Sequence, residues 1–162
     1  MNMSIDLGTI VQIIAIIVNV VIACIMYKSV KEIMKDRICK FLEKRIEEFY
    51  MPLIKFFGHG NLRRDRDAHQ GVEEIIVSKR YLCGKKVAEK LPQHFTAVIV
   101  SSNGPYFLFT DGSEKKRWEE IADTIWNEYI EVLKEYYKLT GIKNYVLPEK
   151  PKWMFNVDGK LC

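Results

Sequence analysis

From Leu7 to Tyr27 the chain carries no charged residue and is built almost wholly from Ile, Val, Ala, Leu, Met and Cys. At about 1.5 Å per residue, a helix of that length spans the roughly 30 Å hydrocarbon core of a bilayer. The run predicts one transmembrane helix, with residues 1–6 as a short segment ahead of it. Asp6 is the only ionisable side chain before the run, whereas Lys28, Lys31, Lys35, Arg37, Lys40, Lys44 and Arg45 follow it. Basic residues beside a span stay on the cytoplasmic side. The expectation is a single-pass protein of the cell membrane, its N-terminus outside and its C-terminal domain in the cytoplasm. Lys28, Lys31, Lys35 and Arg37 are then placed against anionic headgroups, at about 1 kcal/mol per basic residue. Val21-Ile22-Ala23-Cys24 resembles a lipobox. No Lys or Arg precedes it, however, and apolar residues continue through Ile25 and Met26, which favours a retained span over a cleaved leader.

The span is not uniform around its axis. Gly8, Gln12, Ala15, Asn19 and Ala23, followed by Met26, recur at intervals of three and four and share one face, while Ile and Val fill the rest. Small residues allow two helix backbones to approach, and amides bond across the interface at about 0.6–2 kcal/mol each. This stripe is the expected association face of a homo-oligomer. The competing reading is a monomeric helix whose amides bond back to its own backbone or to water.

After the span, Val30, Met34, Ile38, Phe41, Leu42, Ile46, Phe49 and Leu53 keep a helical period, and no Gly or Pro intervenes before Pro52. One helix is expected from Leu7 to Met51, reaching about 35 Å past the bilayer, with a kink or a new turn at Pro52. Gly58-His59-Gly60-Asn61 should stop it. The resulting division is a juxtamembrane helix over 28–57, a helical cytoplasmic domain over 58–143 and an extended tail over 144–162. Within the domain, a helix is expected from Val72 to Leu91, weakened by Gly84 at about 1 kcal/mol. The strongest soluble helix covers 113–140, with Asp111 and Glu114 in capping-box relation and Gly141 as its stop. Residues 96–110 place two β-prone runs around Ser101-Ser102-Asn103-Gly104-Pro105, so a β-hairpin competes with helix there. In the tail, Tyr145, Trp153 and Phe155 are the expected docking points. The fold class is mainly α: an N-terminal transmembrane helix continuing into a small helical bundle.

A charged helix after one span, the run Glu48-Phe49-Tyr50-Met51-Pro52-Leu53, a helix bearing Tyr81-Leu82 and a Glu/Lys/Tyr-rich helix at Glu131 to Tyr137 resemble an uncharacterised set of prokaryotic single-pass membrane proteins. These share an F-Y-x-P-L helical cytoplasmic module. The resemblance covers about half the chain. It implies a small helical module and brings no activity and no site residues.

Chemistry-bearing patterns are sparse. His59, His69 and His94 lack a Cys or His three or four positions away, so no metal is expected. Gly58-His59-Gly60 has Arg63 where a dinucleotide loop needs its third Gly, and no cofactor is expected. Cys24, Cys39, Cys83 and Cys162 form no C-x-x-C pair and suit reduced thiols, Cys83 lying on an apolar face. The pairs Glu47-Glu48, Glu73-Glu74 and Glu119-Glu120 read as solvated helix faces. Asp65 and Asp67 interleave with Arg63, Arg64 and Arg66, so nucleic acid is not an expected partner. The net charge of +4 is mild. The leading expectation is a non-enzymatic membrane protein whose partners are the bilayer, its own copies and a cytoplasmic protein. Its rivals are an effector whose assembled spans permeabilise the bilayer and a membrane-tethered enzyme without a recognisable motif.

Overall fold

The computed structural model describes residues 6–59, 74–91, 107–109, 112–153 and 155–157. It is mainly helical and divides into two compact units, Met1–Cys39 and Lys40–Cys162. The first unit is the greater part of α1 (Leu7–Arg45), an unbroken helix of 39 residues. Asp6 closes its first turn by accepting the backbone N–H groups of Thr9 and Ile10.

The second unit holds the core. The end of α1 passes into a π-helical turn (Ile46–Tyr50) and then α2 (Met51–His59). The new turn expected at Pro52 is present, for α2 begins at Met51, one residue ahead of the proline. Proline has no N–H to offer four residues back. The turn ahead of it widens, so that the Met51 N–H bonds to the Ile46 carbonyl, five residues back. Such π-turns sit inside α-helices as single widened turns. Here the widening lets consecutive residues face inward, and Phe49 and Tyr50 are both fully buried.

The expected helix over 72–91 is broken in two. Residues 74–78 are helical, a 3-10 turn follows (Arg80–Leu82), and a new helix α3 (Lys85–Lys90) begins after Cys83 and Gly84, both extended. Gly84 therefore ends one element rather than merely weakening it. Its bare backbone lies close to Glu128 of the last long helix: a Cβ on Gly84 would lie 1.4 Å from Glu128 Oε1. Arg80 stitches the pieces together by donating to the carbonyls of Ala88 and Leu91.

The long helix α4 (Gly112–Thr140) runs antiparallel to the α1 end and α2. Tyr136 meets Glu43, Tyr129 meets Met51, and Trp118 stacks near Phe57. Gly141 stops α4 with φ of +81°. The Ile142 N–H bonds back to the Tyr137 carbonyl, which satisfies one of the last free carbonyls. The Asp111 and Glu114 side chains of the expected cap lie outside the described residues.

The hairpin expected over 96–110 falls mostly outside the described residues. Its described part is β1 (Phe107–Phe109), which pairs in parallel with β2 (Phe155–Val157) in the tail. The register is Phe107 to Phe155, Leu108 to Asn156 and Phe109 to Val157. A parallel pair needs a long crossover, and α4 with the following tail supplies it. Before β2 the tail lies along the domain. Trp153 packs edge-on to Phe57 and donates to Asp123, while Pro151 sits against Gly58, where a Cβ would come within 2.8 Å of it. The core joins Leu42, Phe49, Tyr50, Leu53, Phe57, Ile76, Leu82, Val87, Trp118, Ile121, Ile125, Tyr129 and Val132.

Candidate functional site

Two features among the described residues are out of the ordinary: a helix whose apolar side chains are exposed, and an ion pair inside the domain. On α1, every Ile and Val from Ile10 to Ile25 is exposed. The most apolar 18-residue window of the helix has a mean hydropathy of 2.7, and none of it is buried. A helix apolar all round is normally enclosed, by protein or by lipid. Gly8, Gln12, Ala15, Asn19 and Ala23 are all exposed on this helix. With about 100° of rotation per residue they fall within an arc of about 80°. Lys28, Lys31, Lys35 and Arg37 are exposed as well. The three lysines fall on the side away from the amides, and Arg37 on the amide side.

The ion pair joins Arg45, the last residue of α1, to Glu128 on α4. Arg45 Nη2 lies 3.9 Å from Glu128 Oε1, and the two side chains are only 15% and 12% exposed. Arg45 also donates from Nε to the Leu82 carbonyl at 2.6 Å and from Nη2 to the Tyr50 hydroxyl at 2.8 Å. It thus ties the helix end to the 3-10 turn, the π-turn and α4 at once. Glu128 Oε2 is buried without a hydrogen-bond partner in the structure. Burial drives the Tyr50 hydroxyl far above the usual tyrosine range, against the opposing pull of the Arg45 charge. Burial also pushes the Cys83 thiol up, with the Glu128 charge adding to it. A thiol held protonated is a poor nucleophile. The cluster joins several elements and serves as a fastener between them.

An open cleft of about 650 Å³ lies between α3 and α4. Its walls set Lys86, Lys90 and Lys134 against Glu89, Glu128 and Glu131. Charges of both signs therefore line it. Among the described residues no three His, Cys, Asp or Glu side chains come together as a metal site. The side chains of His59, His69 and His94 lie outside the described residues.

Sequence reasoning missed Arg45 and Glu128. Each stands at an inward position of an apolar stripe: Leu42, Arg45, Phe49 on one helix and Ile125, Glu128, Val132 on the other. A charge at an inward position was the available signal, and opposite charges on two such stripes strengthen it.

Comparison with known proteins places the chain in a family. A family model described as "Uncharacterized protein" matches residues 39–157, and the chain belongs to that family. The match begins at Cys39, where the two compact units divide. A relative from Archaeoglobus fulgidus, described as an uncharacterized protein, is 32% identical over 157 residues, covering 94% of this chain and 76% of its own. That coverage leaves only about ten residues of this chain unaligned, so the similarity runs into the apolar part of α1. A solved structure, the C-terminal domain of a protein of unknown function from Archaeoglobus fulgidus, is similar to this chain at a TM-score of 0.65 and 37% identity. It covers 72% of this chain and 97% of its own.

Proposed function

We propose that this family member is a non-enzymatic, single-pass membrane protein that self-associates through its span and displays a helical interaction domain in the cytoplasm. The observation that carries the reading is that every Ile and Val side chain from Ile10 to Ile25 is exposed. Water would make that surface an aggregation hazard, whereas hydrocarbon makes it the favourable solvent. The lysines and arginines that begin at Lys28 orient the span by their position on one side of it. Gln12 and Asn19 supply the reason for self-association, since an amide in hydrocarbon gains from a partner helix.

The test is extraction and labelling in intact cells. The protein should remain in membranes through an alkaline wash. A variant retaining Cys162 as its single cysteine should react with a membrane-impermeant maleimide only after lysis. Release by the wash would remove the span from the reading, and labelling before lysis would reverse its orientation.

A further inference from the structure

The turn that ends α4 is held in one shape and leaves its apolar side chains in solvent. Gly141 adopts a φ of +81°, the Ile142 N–H bonds back to the Tyr137 carbonyl, and the Tyr145 ring lies against that of Tyr137 with centroids 4.3 Å apart. Leu139 and Leu147 pack on the core. Between them, Val146 is 93% exposed, Ile142 45% and Tyr145 37%. Val146 is the most exposed large hydrophobic side chain among the described residues. Single exposed apolar residues are ordinary, but three within five positions on a fixed turn form a patch that calls for a cover. We propose that this turn, residues 141–146, docks the domain on the anionic headgroup surface of the bilayer that holds the chain's own span. The proposal rests on the membrane reading above.

Charge and place choose lipid as the cover. From Tyr136 to Pro148 the chain carries Lys138 and Lys143 and no acidic residue, with Glu135 and Glu149 just outside. Both lysines are exposed. The carboxylate of Glu43 on the neighbouring helix end accepts the Tyr136 hydroxyl. Aliphatic side chains, a tyrosine and lysines on one short element suit the headgroup layer. The aliphatic groups enter it, the tyrosine ring sits at its level, and the ammonium groups meet anionic headgroups.

The same hydrogen bond fixes where the turn lies in the domain. Tyr136 stands beside Glu43, and the antiparallel α4 runs on past it. The turn is therefore at the end of the domain where the chain arrives from the span, at Lys40. A surface tethered near lipid needs little affinity of its own, because attachment supplies the effective concentration. Lys40 follows Tyr27 by thirteen residues, about 20 Å along a helix. Contact therefore requires the chain to leave the bilayer at a tilt, and spans tilt by up to about 40°.

The experiment places one fluorophore on the full chain reconstituted in vesicles, with the four native cysteines replaced by Ser. The label goes on Val146→Cys or, at the opposite end of α4, on Lys116→Cys. In vesicles of phosphatidylcholine mixed with phosphatidylglycerol, a nitroxide on the lipid headgroup should quench position 146 several-fold more than position 116. Leaving out phosphatidylglycerol should remove most of that difference, as should Lys138→Glu combined with Lys143→Glu. Equal quenching at 146 and 116 overturns the docking. Quenching at 146 that survives both changes overturns anionic lipid as the partner. A blue-shifted fluorophore at 146 that lipid nitroxides do not quench assigns the turn to a protein, a second copy included, and also overturns the proposal. Ile17→Cys separates this inference from the membrane reading. If a nitroxide deep in the acyl chains quenches position 17 while position 146 stays unquenched, the span stands and only the docking falls. If neither is quenched, both fall.

Discussion

Arg45 and Glu128 are each tolerable only because of the other. A carboxylate 12% exposed and a guanidinium 15% exposed have lost most of their water, and their attraction at 3.9 Å offsets part of that loss. Arg45→Met should therefore cost about 3–5 kcal/mol, the usual penalty for leaving one buried charge alone. Arg45→Met combined with Glu128→Met should recover most of the loss, because apolar pairs of similar volume replace buried ion pairs at little cost. Urea unfolding followed by tryptophan fluorescence reads this cleanly, since Trp118, Trp126 and Trp153 are all outside α1. A double variant as unstable as the single would show that the penalty comes from lost packing and not from the orphaned charge. The two residues also show where one sequence falls short. Their places in apolar stripes are visible, but their meeting is not, because it depends on a turn at Arg80–Leu82 and on the bare backbone of Gly84 beside Glu128.

The secondary structure was legible wherever an element made its own case. The apolar run, the stripe from Val30 to Leu53 and the amphipathic α4 with its stop at Gly141 are local patterns, and they appear as helices. Three features were hidden because they are settled by distant partners. The π-turn before Pro52 sets Tyr50 beside Tyr129 of α4. The break at Cys83–Gly84 lies beside Glu128 of α4. The pairing of β1 with β2 joins segments separated by the whole of α4. The tail behaves in the same way, for its docking depends on Asp123, thirty residues earlier. Burial works to raise the Asp123 carboxyl, but the Lys150 ammonium at 2.7 Å and the Trp153 N–H outweigh it and hold it below its ordinary range. A carboxyl lowered on folding contributes its stabilisation in full above the ordinary aspartate range and loses it as pH falls through the folded value. Docking of residues 150–153 should therefore weaken in acid below the ordinary aspartate range, read as faster hydrogen exchange there than in α4. At neutral pH, Asp123→Asn should expose the bond after Lys152 to trypsin. Unchanged cleavage in that variant would assign the docking to Pro151 and Phe57 packing alone.

The molecule as a whole divides at Cys39 and Lys40, some way short of the boundary at residue 57 or 58 that composition suggests. Composition sees a charged helix continuing out of the span and ending at Gly58. Packing instead recruits the second half of that helix into the core: Leu42 is 3% exposed, and Phe49, Tyr50, Leu53 and Phe57 are fully buried. Two truncations distinguish the boundaries. A fragment of residues 40–162 keeps every core residue, and the solved C-terminal domain from Archaeoglobus fulgidus, 37% identical, shows a similar fold standing without a longer N-terminal region. This fragment should fold, with a tryptophan-monitored urea midpoint matching that of the full chain in detergent. A fragment of residues 58–162 loses four fully buried side chains, each worth about 1.5–3 kcal/mol of burial even before the cavities they leave are counted. That sum rivals the 5–15 kcal/mol total stability of an ordinary domain, so the shorter fragment should show no cooperative unfolding transition and exposed, water-quenched tryptophans. A folded 58–162 fragment would show that α2 is an appendage of the domain. The Arg45 fastener would then have no core to hold. A 40–162 fragment that unfolds would place part of the domain's stability in α1 itself.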